Sequence, residues 1–237
     1  MDSNFDEVYE RLKRTTNAVI DSWGNEGNKP IVLDKNRGSV HCAEWLREIN
    51  PDFKMIVTVR DLRDIFTSIE KQHRKTLMLN HPDGMNHNIV DARASALFAE
   101  NGIIGTPLKG IYNLGDIPNI MKNVFIWRYE DFILDPKKTT DIVFDFLGVD
   151  VCDIDFNNIV QSTNESDSYY NMKYIHKIKN SVEKPTSELP ISPRILNHIT
   201  NNKDLKWFYE QYYPETIEGK SSNAFCISAN VTTTCSS

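Results

Sequence analysis

The stretch Lys54-Met-Ile-Val-Thr-Val-Arg-Asp-Leu-Arg-Asp-Ile-Phe-Thr-Ser68 decides the fold. Its first half, Met55–Val59, is a short, apolar and β-branched run that predicts a buried strand. Its second half predicts a helix that Asp61 caps. The apolar residues of this helix recur on one face: Leu62, Ile65, Phe66 and Ile69. A strand that leads directly into a helix is typical of a parallel sheet with helical crossovers.

Two more strands are predicted on either side of this segment. Ile31-Val-Leu33 and Val124-Phe-Ile-Trp127 are apolar runs that are too short for helices. Ser39 is expected to cap a helix that ends before Pro51. Helical spacing predicts further helices over residues 4–23, 89–99, 139–147, 192–200 and 204–213. We therefore expect an α/β fold, a three-layer parallel sheet flanked by helices.

Composition limits the possible functions. The 237 residues are 40% hydrophobic and 25% charged, and the net charge of −6 gives no overall attraction to nucleic acid or to an anionic membrane. No apolar run approaches the ~20 residues that cross a bilayer, and the acidic N-terminus is not a signal peptide. The four cysteines lack metal-ligand spacing, so we expect free thiols and no metal. We predict a soluble, cytoplasmic protein with one domain over residues 1–218 and a disordered tail over residues 219–237.

Arg60 lies where the strand Met55–Val59 ends and the next helix begins. Ligands of open parallel sheets bind at this edge, and a helix N-terminus there favours an anion. The guanidinium of Arg60 can pair two phosphate oxygens, and Ser68, two turns further along the helix, can donate its hydroxyl to the same anion. The sequence therefore predicts a site for a phosphate group of a nucleotide-like donor. The alternative is that Arg60 bridges to Asp61 or Asp64 and that Ser68 is a plain surface residue.

The same segment resembles the 3′-phosphate-binding element of sulfotransferases, which has a strand, an Arg, a turn with Asp, and a Ser eight positions after the Arg. Arg60 and Ser68 match this element residue by residue. Three other stretches resemble the family in the same order: Ile31-Val-Leu-Asp-Lys35-Asn-Arg-Gly38, then Trp127-Arg-Tyr-Glu-Asp-Phe132 with the following Asp135-Pro136, and Phe146-Leu-Gly148. The resemblance covers residues 30–150 and implies a P-loop-like α/β fold.

The resemblance also implies a function, a nucleotide-binding transferase. It implies that a sulfuryl group moves from 3′-phosphoadenosine 5′-phosphosulfate to a hydroxyl or amine of a small-molecule, carbohydrate or protein acceptor. Arg60 and Ser68 would bind the 3′-phosphate, and Lys35 would supply a cation at the transfer site, a solvated loop lysine being the alternative. His176 and Lys179 belong to a basic cluster that is similar to the family's late loop over the donor phosphates. A solvated basic patch is the favoured alternative for that cluster.

Two departures from the family pattern bear on activity. The family's 5′-phosphosulfate loop, and any G-x-x-x-x-G-K-[ST] motif, is not found, so we expect an N-terminally incomplete domain. The alternative function is then a truncated, non-catalytic sulfotransferase-like protein that binds a nucleotide or a partner. Arg37 replaces the His that cytosolic members carry two positions after the lysine, and an arginine cannot act as a base. Asp34, His41 and Glu44 stay open as candidate bases.

Overall fold

The computed structural model describes residues 4–24, 31–75, 89–161, 179–183 and 191–217. Within these ranges the chain forms nine α-helices and two β-strands, and the strands pair in a small parallel sheet. The predicted α/β class is thereby confirmed, whereas the P-loop-like topology stays a prediction. The predicted tail over residues 219–237 lies outside the described residues.

The strands are β1, Met55–Val59, and β2, Val124–Arg128. The helices before β2 are α1 Phe5–Gly24, α2 Ala43–Ile49, α3 Leu62–Lys75, α4 Val90–Phe98 and α5 Gly105–Asn113. The helices after β2 are α6 Tyr129–Leu134, α7 Pro136–Leu147, α8 Pro193–Thr200 and α9 Lys206–Tyr212. The strands predicted over Met55–Val59 and Val124–Trp127, and all the predicted helices, are therefore found within a few residues of their expected positions. None of the helices in the described ranges is long and apolar enough to span a membrane.

The chain divides into two compact units, and the first comprises Met1–Val57 and Ala94–Phe125. In this unit α1 packs against α2, and both α2 and α5 pack against a short 3₁₀ helix, Ser39–Cys42. A Cβ at Gly110 would lie 2.5 Å from the side chain of Val40, so the close approach of α5 to the 3₁₀ helix requires a glycine. The buried apolar residues of this unit include Ala43, Ile49, Met55, Leu97, Ile104, Leu108, Leu114, Ile120, Val124 and Phe125.

One predicted strand in the first unit, Ile31-Val-Leu33, is wrong. Residues 31–36 have no regular structure, and Leu33 is 82% exposed. The run has the composition of a buried strand, but a strand also needs a neighbour whose backbone completes its hydrogen bonds. In the described part of the chain the sheet contains β1 and β2 alone, so this run has no strand beside it.

The second unit comprises Thr58–Arg93 and Ile126–Ser237. Here α3 packs against α8, and α6 packs against α7. Asp135 caps α7 through the backbone N–H of Lys138, and Gly148 ends that helix at a φ of 70°. The core of this unit is rich in aromatic and branched side chains: Val59, Leu62, Phe66, Ile195, Leu196, Ile199, Leu205, Phe208, Tyr209, Tyr212 and Tyr213.

Candidate phosphate-binding site

Arg60 and Asp61 form the turn between β1 and α3. The carboxylate of Asp61 accepts the backbone N–H of Arg63 at 2.9 Å, and its carbonyl accepts those of Asp64 and Ile65 at 3.0 Å each. Asp61 therefore caps α3, as its sequence position predicts. The cap fixes the backbone at the point where the side chain of Arg60 leaves it.

The guanidinium of Arg60 lies against Tyr129, with its Cζ atom 4.7 Å from the ring centroid. Its Nη2 atom lies 3.9 Å from Oδ2 of Asp64, which is an ion pair without a hydrogen bond. The Nε atom is buried and has no hydrogen-bond partner among the described residues. A buried donor without a partner costs on the order of 1–3 kcal/mol. Arg60 is thus held in place while one of its donors still lacks an acceptor.

Ser68 is exposed on α3, four positions after Asp64. Residues with this spacing lie on one face of a helix, about 6 Å apart along its axis. Because Arg60 reaches Asp64, it approaches the face of α3 that carries Ser68. The separation of 3.9 Å between Arg60 and Asp64 is therefore compatible with both interpretations made from the sequence, the anion site and the ion pair. The role of Ser68 stays a prediction.

The carboxylate of Asp64 is poorly compensated by Arg60. Burial raises the pKa of Asp64 above its ordinary value, the negative charge of Asp61 acts in the same direction, and Arg60 opposes both. Since the pKa of Asp64 is raised overall, the attraction of Arg60 does not outweigh the effect of burial. A phosphate would consequently compete for Arg60 with a weak internal partner.

The turn is also fixed by side chains from distant parts of the sequence. The backbone N–H of Asp61 donates to Oε1 of Glu130 at 3.2 Å, and the hydroxyl of Tyr213 donates to Oε2 of Glu130 at 2.7 Å. The hydroxyl of Tyr209 donates to Oδ1 of Asp61 at 3.1 Å. Arg63 donates from Nε to both carboxylate oxygens of Asp61, at 3.0 and 3.1 Å. The carboxylates of Asp61 and Glu130 therefore both accept hydrogen bonds from other side chains of the protein.

The two tyrosine hydroxyls are fixed as donors. Burial raises the pKa of Tyr209 and of Tyr213 far above the ordinary value. The neighbouring carboxylates, Asp61 for Tyr209 and Glu130 for Tyr213, act in the same direction. Both hydroxyls are therefore protonated at neutral pH and can donate.

A second arginine follows the same pattern at the end of β2. The Cζ atom of Arg128 lies 4.5 Å from the ring centroid of Tyr213, and its buried Nε, 3.8 Å from Oδ2 of Asp131, has no hydrogen-bond partner among the described residues. Its Nη1, however, lies 2.9 Å from Oε1 of Glu215. Arg128 is consequently neutralised by a close carboxylate, whereas Arg60 is not.

Sequence reasoning did not identify the side chains that hold the turn of Arg60 and Asp61 as functional residues. Tyr129 and Glu130 lie in the stretch that resembles the Tyr-Glu-Asp element, which is the one signal that could have singled them out. Tyr209 contacts a residue 148 positions away, and no local pattern reports such a pair.

The other predicted site residues belong to other segments of the chain or lie outside the described residues. Lys35 is exposed in the irregular segment 31–36 of the first unit, whereas Arg60 and Ser68 belong to the second. His176 lies outside the described residues. Lys179 is exposed, and its Nζ lies 3.8 Å from Oε2 of Glu183. The roles of these three residues therefore stay predictions.

The segment after Lys35 is ordered by Asn36 rather than by the predicted cap Ser39. The Oδ1 atom of Asn36 accepts the backbone N–H groups of Gly38 and Ser39 and the hydroxyl of Ser39, at 2.7–2.9 Å. An Asn side chain forms such a turn readily, and the hydroxyl of Ser39 is thereby used as a donor.

No candidate base is distinguished by its surroundings. Nε2 of His41 lies 2.9 Å from the carbonyl oxygen of Thr106, so this nitrogen carries the proton and donates. Asp34 accepts a hydrogen bond from Asn36, and Glu44 is exposed in the first turn of α2. Within the described ranges, no group of three or more His, Cys, Asp or Glu side chains is placed to hold a metal ion.

Comparison with known proteins identifies a family. A family model described as a sulfotransferase domain matches residues 43–212, well over half of the chain. The matched stretch contains both strands, the turn with Arg60 and Asp61, and the helix with Ser68. No curated protein matches the chain.

Proposed function

Since the chain belongs to the sulfotransferase family, whose model matches residues 43–212, we propose that it transfers a sulfuryl group from 3′-phosphoadenosine 5′-phosphosulfate to a hydroxyl or amine acceptor. The observation that carries the proposal is the state of Arg60. Its guanidinium lies on Tyr129 at the carboxyl end of a parallel strand, its nearest carboxylate is 3.9 Å away, and its Nε lacks a partner among the described residues. Such a cation is suited to an external anion.

The proposed reaction sets two tasks for the protein. The acceptor oxygen or nitrogen forms a bond to sulfur while the bond from sulfur to the phosphate oxygen breaks. The electron pair stays with the leaving 3′-phosphoadenosine 5′-phosphate, and the acceptor proton passes to a base. The protein must hold the donor in place and must offset the negative charge that develops on the leaving phosphate.

We assign the first task to Arg60 and Ser68. The planar guanidinium offers parallel N–H donors that match two oxygens of the 3′-phosphate, and the N-terminus of α3 adds a favourable dipole. The hydroxyl of Ser68 lies on the face of α3 that Arg60 approaches, and it can donate to the same phosphate. Selectivity for a 3′-phosphate is therefore the property by which these two residues are tested.

We assign the second task to Lys35, with His176 and Lys179 contributing to the hold on the donor phosphates. The support for these three residues is their resemblance to family positions together with their positive or titratable side chains. The exposed side chain of Lys35 is accessible to a ligand. Lys35→Ala is expected to lower the rate of transfer more than the affinity for the donor.

Calorimetric titration tests the assignment of Arg60. We expect 3′-phosphoadenosine 5′-phosphate to bind more tightly than adenosine 5′-phosphate, and Arg60→Ala to remove the difference. Hydrogen bonds to charged groups contribute ~1.5–3 kcal/mol, so the expected loss of affinity is about 10- to 150-fold. Arg74→Ala, an exposed arginine near the other end of α3, serves as the matched control and should bind like the wild type. Equal affinity of the wild type for the two nucleotides would contradict the proposal.

A second function, nucleotide binding without transfer, is favoured by one observation. The segment that carries Lys35 is exposed and irregular instead of being a strand of the sheet, so no regular element orients that lysine. Incubation with donor labelled in its sulfuryl group separates the two functions. Transfer of label to simple hydroxyl or amine acceptors supports the enzyme, whereas tight binding of 3′-phosphoadenosine 5′-phosphate with no labelled product supports the binding protein.

A further inference from the structure

Two consecutive residues after β2 hold two consecutive residues after β1. The ring of Tyr129 lies under the guanidinium of Arg60, and the carboxylate of Glu130 accepts the backbone N–H of Asp61. The two residues that follow β2 thus contact both the side chain of Arg60 and the backbone of Asp61. The position of Glu130 therefore sets the orientation of the peptide that directly follows Arg60.

Helix α9 in turn fixes both carboxylates. Tyr213, the residue that follows α9, donates its hydroxyl to Glu130 at 2.7 Å, and Tyr209 donates to Asp61 at 3.1 Å. Tyr209 is fully buried and Tyr213 is 2% exposed, so water does not replace either bond readily. The two tyrosines are four positions apart in the chain, and each donates to one of two carboxylates that lie after neighbouring strands.

We propose that Glu130, held by Tyr213, is a positioning residue for the 3′-phosphate and that Tyr209 acts in the same way through Asp61. This inference rests on the proposed function, because it concerns the orientation of Arg60 toward that phosphate. None of these three side chains needs to touch the ligand. They act by keeping the guanidinium of Arg60 in the one orientation that pairs two phosphate oxygens, and displacements of about 1 Å are enough to weaken such a contact.

The inference is tested with Tyr213→Phe and the matched control Tyr212→Phe. Tyr213→Phe removes the hydroxyl that holds Glu130 and keeps the ring beside Arg128. Tyr212 is the neighbouring residue, is also buried, and in the described part of the chain makes no hydrogen bond through its hydroxyl. We expect Tyr213→Phe to lower the preference for 3′-phosphoadenosine 5′-phosphate over adenosine 5′-phosphate by about tenfold. Tyr212→Phe should leave that preference unchanged.

Amide hydrogen exchange at Asp61 measures the hydrogen bond from its N–H to Glu130 directly, without ligand. Because Glu130 accepts that N–H, Tyr213→Phe should accelerate exchange at Asp61, and Tyr212→Phe should not. If Tyr213→Phe fails to fold, Tyr209→Phe takes its place in both measurements, since it removes the other hydroxyl of the network.

The outcomes separate the two proposals. A wild type that binds both nucleotides equally overturns the proposed function. A wild type that prefers the 3′-phosphate, with the same preference in Tyr213→Phe and Tyr212→Phe, overturns the positioning role alone. Lower selectivity in Tyr213→Phe together with faster exchange at Asp61 supports the positioning role.

Discussion

The fold around α3 is tested most strongly by substitution of the ion pair between Glu70 and Arg93. Glu70 lies on α3 and is fully buried, and Arg93 lies on α4 and is 4% exposed. Arg93 donates from Nε and Nη2 to the two oxygens of Glu70, at 2.6 and 2.7 Å. The pair therefore ties the helix that carries Ser68 to α4 in a region from which water is excluded.

Replacement of Arg93 by Met leaves the carboxylate of Glu70 without this partner. Loss of one member of a buried ion pair costs about 3–5 kcal/mol, because the other charge stays desolvated. For a chain of this size each kcal/mol lowers the melting temperature by about 2–4 °C, so the expected decrease is roughly 6–20 °C. The double variant Glu70→Leu, Arg93→Met removes both charges and should recover a large part of the loss.

Thermal and urea unfolding measure these changes, and Arg194→Met is the matched control. Arg194 pairs with Asp91 at 2.9 Å, but their side chains are 74% and 45% exposed, so the same substitution there should cost less than about 1 kcal/mol. If Arg93→Met is no more destabilising than Arg194→Met, the reasoning from burial is refuted. A double variant that is less stable than Arg93→Met would also contradict it.

Two further predictions concern a single carboxylate and a single glycine. Burial raises the pKa of Asp64, so its contribution to stability is present below the ordinary value of 3.8 and is lost as the pH rises through the raised value. Asp64→Asn should therefore raise the melting temperature at about pH 7 and leave it unchanged at about pH 3, and an equal change at both would contradict the assignment. Gly148 ends α7 at a φ of 70°. Gly148→Ala should therefore lower the free energy of unfolding in urea by about 1 kcal/mol. Gly115→Ala is the control, because a Cβ there meets nothing within 4 Å and no positive φ opposes it; equal costs at the two sites would refute the argument.

The sequence was informative where local signals and tertiary structure agree. Met55–Val59 is found as predicted, and Asp61 caps α3, because an apolar β-branched run followed by a capping residue needs little beyond itself to form. The end of α7 at Gly148 was predicted for the same reason. The mixed helix and strand fold and the family could therefore be predicted from short stretches.

The errors arose where a partner distant in sequence decides the outcome. Ile31-Val-Leu33 has the composition of a strand, but no strand of the described chain lies beside it. The contact of Tyr209 with Asp61 joins residues 148 positions apart, and that of Tyr213 with Glu130 joins residues 83 positions apart. Periodicity reports which face of a helix is buried, and it does not report which polar group meets a buried hydroxyl. The support of the turn could consequently be seen in the structure alone.

The comparison of Arg60 with Arg128 gives the best internal argument for the location of the proposed anion site. Both arginines lie at the ends of neighbouring parallel strands and against a tyrosine ring, and each buries an Nε atom that has no hydrogen-bond partner among the described residues. Their carboxylate partners differ, since Glu215 lies 2.9 Å from Arg128 and Asp64 lies 3.9 Å from Arg60. Only the shorter distance permits a hydrogen bond. An incoming phosphate must therefore displace a strong partner at Arg128 and a weak one at Arg60, which favours Arg60.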